Sequence, residues 1–279
     1  MKDKVKIAAV QMDPQIGQNK ENLKKIIQKT KIAAQSGADL IVFPECALSG
    51  YVFSSREEAL PFMETIPGAA TGRLSELCRD LGVHMVFGLL EKEKDWCFNS
   101  AALLGPEGLI GRYRKSHLPF LGIDRFVDPG NEPFRVYETA IGRIGMLICY
   151  DCTFPESARV MALSGADILA LPTNWPEGRA KIPKYVIMAR AFENKIHVVA
   201  ADRVGSERQS KFIGTSKIVN AWGDTLAEAG TEEEEIIYGE IGLSEAREKR
   251  IVIKSGEFEV DFMSDRKPWL YGKISEICK

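Results

Sequence analysis

Short apolar runs alternate with segments of helical periodicity along this chain, and this alternation constrains its fold more than any other feature. The run Val5–Gln11 predicts a strand, and residues 20–35 predict a helix with Asn19 as its N-cap. A second run, Leu40–Phe43, precedes another predicted helix over 70–81. Strands that alternate with helices are typical of sheets covered by helices, so we expect an α/β fold.

The second half of the chain repeats this pattern. Strands are predicted at Gly145–Cys149, Asp167–Leu171, Ile196–Ala201, Lys217–Ala221 and Glu235–Ile241. Ser244 is expected to cap a last helix, and the chain after Ile251 is predicted to be aromatic and irregular. Because no linker divides the chain, we expect one domain over 1–279, with residues about 251–279 as a tail at a subunit interface.

Composition and charge exclude several function classes. The formal net charge of −2 over 279 residues offers no basic field for nucleic acid or anionic lipid. The first apolar run is too short for a signal peptide, and no stretch has the length of a membrane span, so a soluble cytoplasmic protein is expected. A chain of this size needs no disulfides, so the cysteines at 46, 78, 97, 149, 152 and 278 are predicted to be thiols.

Two segments place polar residues directly after strand-like runs, where α/β proteins build their sites. In Phe43-Pro44-Glu45-Cys46, Glu45 is either a solvated loop residue or a carboxylate in a dry pocket. Burial would raise the pKa of such a carboxyl and suit it to general base catalysis. In Tyr113-Arg114-Lys115-Ser116-His117, the basic residues are either exposed surface residues, or Lys115 is buried and its ammonium group stabilises an oxyanion.

A third segment, Ile148-Cys149-Tyr150-Asp151-Cys152, places a cysteine where a predicted strand turns into a helix. Backbone N–H groups there lower a thiol pKa and bind an oxyanion, an arrangement that recurs in acyl transfer. A buried structural cysteine is the common alternative. Cys149 and Cys152 also form C-x-x-C, which can be a redox dithiol, although this chain is much longer than a small redox domain.

Together these segments resemble the nitrilase superfamily of carbon–nitrogen hydrolases, whose members carry a Glu–Lys–Cys triad in this order. The resemblance covers nearly the whole chain and is closest to the amidase-like branch. The matching segments are Ala8-Ala9-Val10-Gln11, Phe43-Pro44-Glu45, Phe98-Asn99-Ser100, Tyr113-Arg114-Lys115, Ile148-Cys149-Tyr150-Asp151, Arg203-Val204-Gly205 and Asp265-Arg266-Lys267-Pro268. Any one motif is weak evidence, but all of them in the right order make chance similarity implausible.

The resemblance implies a mechanism and a fold. Glu45 would be the base, Cys149 the nucleophile of a thioester intermediate, and Lys115 with the Tyr150 N–H the oxyanion donors. The family fold is a four-layer α-β-β-α sandwich of two mixed sheets. Its members usually pair across helices, so a homodimer or a higher even-numbered homo-oligomer is expected. This chemistry requires no metal and no organic cofactor, and the three histidines lack zinc-ligand spacing.

Two departures from the family pattern concern carboxylates. The family often has a second active-site glutamate before a Pro-Gly pair, and Asp124 is the nearest carboxylate before Pro129-Gly130. We therefore expect Asp124 to take this supporting role. The family also often has Asn before Arg-Val-Gly, where this chain has Asp202. This difference changes either the substrate pocket itself or only the residues that form its wall.

The substrate is less constrained, because amides, carbamoyl compounds and nitriles can share one triad. Carbamoyl amino acids need a cation that binds their carboxylate. Arg179, which lies later in the chain than Cys149, could serve as this cation. Trp175, Asn174 and Phe120 are the candidate pocket residues. A small amide is the first expectation, a carbamoyl compound the second and a nitrile the third. The alternative outside enzymes is a non-catalytic protein of the same fold that binds a small molecule. Such a protein would have lost one or more residues of the triad.

Overall fold

The computed structural model describes residues 3–276, so Cys278 lies outside the described residues. Two six-stranded sheets form its centre. The strands are β1 Lys4–Gln11, β2 Leu40–Val42, β3 His84–Glu93, β4 Trp96–Gly105, β5 Gly108–Arg114, β6 Val136–Thr139, β7 Gly142–Met146, β8 Ile168–Pro172, β9 His197–Ala201, β10 Ser206–Glu207, β11 Ser210–Lys211, β12 Lys217–Val219, β13 Thr225–Glu228, β14 Glu235–Gly242, β15 Arg250–Lys254 and β16 Phe258–Asp261.

The helices lie between these strands in the sequence. They are α1 Asn19–Gln35, α2 Arg56–Ala59, α3 Ala69–Leu81, α4 Pro155–Leu163, α5 Ile187–Asn194 and α6 Leu243–Arg247. Single turns of 3₁₀-helix at Gly122–Arg125 and Cys149–Thr153 follow strand ends, and a π-helical turn at Ile182–Val186 leads into α5. The sequence therefore predicted the main elements of both halves.

The two large sheets have the same pattern of strand directions. The first sheet has the order β14-β1-β2-β3-β4-β5, and the second has the order β6-β7-β8-β9-β12-β13. In each sheet, read in this order, the neighbours pair antiparallel, parallel, parallel, antiparallel and antiparallel. The carboxyl ends of the parallel strands in one sheet meet at one edge, where side chains from different strands come together.

The sheets pack face to face, and helices cover their outer faces. Val42 and Val86 of the first sheet share an apolar core with Leu169 of the second. On the far side of the first sheet, Ile26 of α1 and Leu74 of α3 pack against the strands. Helices α4 and α5 cover the second sheet. The expected α-β-β-α sandwich of two mixed sheets is confirmed.

Three local predictions were wrong. Asn19 is the first residue of α1 and not its cap: the cap position falls on Gln18, and Asn19 Oδ1 accepts no backbone N–H while its amide donates to the Phe62 carbonyl oxygen at 2.9 Å. Ser244 lies inside α6, where its hydroxyl donates to Asp3 at 3.2 Å. The chain after Ile251 is not irregular throughout, since β15 and β16 form an antiparallel hairpin.

The strand predicted at Gly145–Cys149 lies three residues earlier, at Gly142–Met146. Strand β7 ends at Met146, and Cys149 begins a 3₁₀ turn with a φ of 43°. Within residues 3–276, no helix combines the length and the apolar character that crossing a membrane requires.

Candidate active site

Glu45 lies in a tight turn just beyond β2. Gly88 of β3 donates its N–H to the Pro44 carbonyl oxygen at 3.1 Å, which holds the turn against the first sheet. A Cβ at Gly88 would lie 2.7 Å from the Glu45 Cα, so only glycine allows this approach. The turn buries Glu45 completely, with an exposed fraction of 0%.

Lys115 lies directly after β5 in the same sheet. Its backbone N–H donates to the Asn99 carbonyl oxygen on β4 at 2.8 Å, which extends the pairing by one residue. Its Nζ lies 2.6 Å from Glu45 Oε1 and 2.5 Å from Asp124 Oδ2, and all three side chains are fully buried. One ammonium therefore joins two carboxylates in an environment without solvent.

Asp124 completes this group from the 3₁₀ turn Gly122–Arg125. Asn99 Nδ2 bridges the carboxylates, at 2.7 Å from Glu45 Oε1 and 2.8 Å from Asp124 Oδ1. The Tyr51 hydroxyl donates to Asp124 Oδ2 at 2.7 Å. Asn99 and Tyr51 were not among the sequence candidates for the site. The structure thus places Asp124 beside Lys115 and Asn99, and its supporting role stays a prediction.

Cys149 approaches from the second sheet. Its positive φ and the 3₁₀ turn that begins there place the thiol at the end of β7, 8% exposed. Asp151 fixes this turn by accepting the Ile148 N–H at 3.0 Å. The same carboxylate accepts from the Tyr113 hydroxyl at 2.8 Å and from the His117 N–H at 3.0 Å. Asp151 thus joins the segment of Lys115 to the segment of Cys149.

Burial and the neighbouring charges together set the protonation of these groups. Desolvation raises the pKa of Glu45 above its ordinary value, and Lys115 opposes this shift while Asp124 adds to it. Desolvation, with the charge of Glu45, raises the pKa of the Cys149 thiol well above its ordinary value. Burial disfavours the charged form of Lys115, but Asp124 and Glu45 raise its pKa overall. The resting site therefore holds a charged lysine and a protonated thiol.

Several polar atoms around this group are buried and lack a partner. Among the described residues they include Glu45 Oε2, Thr173 Oγ1, Asp202 Oδ2 and both side-chain polar atoms of Asn174. Thr173 and Asn174 follow β8, and Asp202 follows β9, so these residues lie at the same sheet edge as Cys149. Orphaned buried groups are costly, so these atoms are available to a bound molecule.

The predicted pocket residues have different surroundings. Trp175 is 2% exposed, and Asn174 is 1% exposed. Tyr150, whose backbone N–H was assigned to the oxyanion, is partly exposed and lies edge-on to Phe154. The Phe120 ring is 91% exposed, so the structure does not bring it into the buried group. No cluster of three or more metal-binding side chains is found within residues 3–276.

The carbon–nitrogen hydrolase family profile matches residues 6–251 of the chain. The chain belongs to this family. The resemblance of its motifs to the nitrilase superfamily is therefore confirmed, and this carbon–nitrogen hydrolase has both amidases and nitrilases among its relatives.

The relatives of the hydrolase are similar over most of their length. A nitrilase of Pyrococcus abyssi (strain GE5 / Orsay) is 44% identical over 250 residues, which cover 88% of this chain and 93% of the relative. The crystal structure of a carbon–nitrogen hydrolase from Helicobacter pylori G27 superposes with a TM-score of 0.81 at 26% identity, covering 88% of this chain and 91% of that one.

A third relative carries chemical information. It is a mutant of the amidase from Nesterenkonia sp. AN1 with the acetamide moiety of fluoroacetamide covalently added at the active-site cysteine. It superposes with a TM-score of 0.75 at 27% identity, covering 87% of this hydrolase and 92% of the amidase chain.

Proposed function

We propose that this hydrolase is an amidase that releases ammonia from a small amide through a thioester on Cys149. The observation that carries the proposal is the position of Lys115, whose Nζ contacts Glu45 Oε1 and Asp124 Oδ2 while Glu45 Oε2 has no partner. This arrangement leaves one carboxylate oxygen free to accept a proton at a site that also holds a fixed positive charge.

The first step is proton transfer. The Cys149 thiol is protonated at rest because burial raises its pKa. The proton moves from the sulfur to Glu45, whose raised pKa makes it a stronger base than an exposed carboxylate. The sulfur electron pair then forms a bond to the carbonyl carbon of the amide, and the C=O π electrons move to the oxygen.

The second step is collapse of the tetrahedral oxyanion. Lys115 and the Tyr150 N–H stabilise the negative oxygen, and the 3₁₀ turn at Cys149–Thr153 fixes the direction of that N–H. When the C=O bond re-forms, the C–N bond breaks and the nitrogen takes the proton from Glu45. Ammonia leaves, and the acyl group remains on the sulfur as a thioester.

The third step returns the enzyme to its starting state. Glu45 accepts a proton from water as the water oxygen attacks the thioester carbon. The C–S bond breaks, the sulfur takes the proton back, and a carboxylic acid leaves. The net reaction consumes one amide and one water and yields one acid and one ammonia, so no redox partner enters the balance.

An amide is favoured over a carbamoyl compound or a nitrile as substrate. A mutant of the amidase from Nesterenkonia sp. AN1 carries the acetamide moiety of fluoroacetamide covalently on its active-site cysteine, and the present hydrolase resembles it over 87% of its length. The buried position of Asn174 and Trp175 suits a small substrate. The nitrilase of Pyrococcus abyssi makes a nitrile the second candidate.

The test is ammonia release from panels of small amides, carbamoyl compounds and nitriles, with Cys149→Ala beside the wild type. Release from amides that disappears in the variant supports the proposal, and release from nitriles alone would replace the amide with a nitrile. Fluoroacetamide should also modify the peptide that contains Cys149. Full turnover in Cys149→Ala would contradict the assignment of Cys149 as the nucleophile.

We also propose that residues 1–279 form one catalytic domain that assembles as a homodimer through its tail. Trp269, Leu270 and Ile274 are 74%, 70% and 62% exposed, respectively, in turns after the β15–β16 hairpin. A second copy of the chain would remove these side chains from water.

A further inference from the structure

The carboxyl group of Asp202 continues the pairing of β8 and β9 beyond their last strand residues. The Thr173 N–H donates to the Ala201 carbonyl oxygen at 2.9 Å. Two residues later, the Trp175 N–H donates to Asp202 Oδ1, also at 2.9 Å. A side-chain oxygen therefore replaces the backbone carbonyl that would accept this bond in a regular parallel ladder.

This side-chain contact has a consequence for Asn174. Successive N–H groups of an extended segment point to opposite sides within the sheet. Because the N–H groups of Thr173 and Trp175 point towards β9, the Asn174 N–H points towards the β7 side, where Cys149 lies. Burial and the charge of Glu45 raise the pKa of the Cys149 thiol, and the Asn174 N–H opposes them by lowering it.

We propose that Asp202 is a positioning residue that holds the Thr173–Trp175 segment so that the Asn174 N–H stabilises the Cys149 thiolate. The proposal rests on the proposed function, because it takes Cys149 as the nucleophile. Asp202 acts through the segment that it binds and not through a contact with the sulfur.

The surroundings of Asp202 suit a neutral carboxyl group. The side chain is 0% exposed, Oδ1 accepts the N–H groups of Trp175 and Arg203, and Oδ2 has no partner among the described residues. Desolvation raises its pKa well above the ordinary value, and Glu45 adds to this shift. The Arg203 guanidinium binds Asp13 and Glu207. A neutral Asp202 supplies its acceptor without adding a negative charge that would oppose the thiolate.

The experiment measures the rate of iodoacetamide labelling at the Cys149 peptide as a function of pH, by mass spectrometry. Labelling at other thiols, including Cys278, is thereby kept separate. Asp202→Asn keeps Oδ1 and should label within about twofold of the wild type at each pH. Asp202→Ala loses the acceptor and should label about tenfold more slowly, the effect of weakening one hydrogen bond to a charged group.

Two further variants keep the test decisive. Asp202→Ser replaces Asp202→Ala if the latter fails to fold, because its shorter side chain also fails to reach the Trp175 N–H. Ser216→Ala is the matched control, since Ser216 Oγ accepts the Asp202 backbone N–H at 2.8 Å and the variant keeps the Asp202 carboxyl group. It should label like the wild type, with thermal unfolding recorded for every variant.

The contrary outcomes are distinct. Wild-type labelling in Asp202→Ala and Asp202→Ser, or equally slow labelling in Ser216→Ala, would overturn the positioning role. Faster labelling in Asp202→Asn would show that the native carboxyl is charged. A changed KM in Asp202→Asn with unchanged labelling would place Asp202 on the substrate instead. Labelling does not depend on turnover, so failure of the amidase proposal would be seen separately in Cys149→Ala.

Discussion

Lys115 Nζ lies 2.5 Å from Asp124 Oδ2, and neither side chain is exposed to solvent. Asp124→Asn should therefore lower the free energy of unfolding by about 3 kcal/mol, because it leaves a buried ammonium with one fewer counter-charge. Since Asp124 raises the pKa of Glu45, the acid limb of kcat/KM should also move to lower pH. Urea unfolding and a pH profile measure both effects. Asp128→Asn, at a half-buried pair with Arg56, is the control and should leave the limb in place.

The raised pKa of Glu45 predicts the acid side of the pH profile. A general base acts in its ionised form, so kcat/KM should rise with pH as Glu45 loses its proton, above the ordinary range of a glutamate. Glu45→Gln should lower kcat/KM by about 10²–10⁴-fold and abolish this limb. Steady-state kinetics from pH 4 to 9 test the assignment, and a persistent limb in the variant would contradict it.

Cys152 is predicted to be a bystander. It is 1% exposed, and desolvation raises its pKa to about 12, so its thiol is neither accessible nor ionised at neutral pH. Cys152→Ser should keep at least about half of the wild-type kcat, because the hydroxyl is a small substitute for a protonated thiol. Ammonia release measures this directly. If the variant were as inactive as Cys149→Ala, a dithiol mechanism would have to replace the thioester.

His197 should make the fold sensitive to acid. Burial lowers its pKa to about 4, below the value of an exposed histidine, so the unfolded chain binds this proton first as pH falls. Stability from this residue is present at neutral pH and decreases below pH 6.5, by about 2 kcal/mol between pH 7 and pH 5. In His197→Gln, which can still donate to the Gly242 carbonyl oxygen, this part of the pH dependence of urea unfolding should disappear.

The exposed tail predicts a change of assembly. If Trp269 packs on a second copy of the chain, Trp269→Ala should weaken the dimer by about 2 kcal/mol or more, as expected for a buried aromatic anchor. Sedimentation velocity over a dilution series measures the effect. Trp96→Ala, which removes another exposed tryptophan, is the control. Equal dissociation in wild type and Trp269→Ala would argue against a tail-mediated interface.

The sequence located the ends of β2 and β5 well, because apolar runs are interrupted where a polar side chain follows, but it ended β7 three residues too late. Glu45 and Lys115 were found in this way. Asn99 was missed as a site residue, since it lies within β4, a strand whose residues are almost all buried and give no alternating pattern. Its signal was a polar amide inside an apolar run, which alone does not reveal that it bridges two carboxylates.

Contacts between distant segments explain the other gaps. The sequence showed Asp151 only as a residue close to the nucleophile in the chain. Its hydrogen bonds with Tyr113 and His117, more than thirty residues earlier, could not be predicted. Asn19 had the chemistry of a helix cap, yet a carbonyl from another segment binds its amide. Local propensity cannot anticipate a partner that only the fold supplies.

The two sheets contribute different members of the proposed triad: Glu45 and Lys115 follow strands of the first sheet, and Cys149 follows a strand of the second. The spacing between proton acceptor and sulfur is therefore set by the apolar layer that includes Val42 and Leu169. A misplacement of about 1 Å can cost about 100-fold in rate. The methyl groups of this layer thus set a catalytic distance without contacting the substrate. Mild heat or pressure that loosens the layer should therefore abolish activity before the chain unfolds.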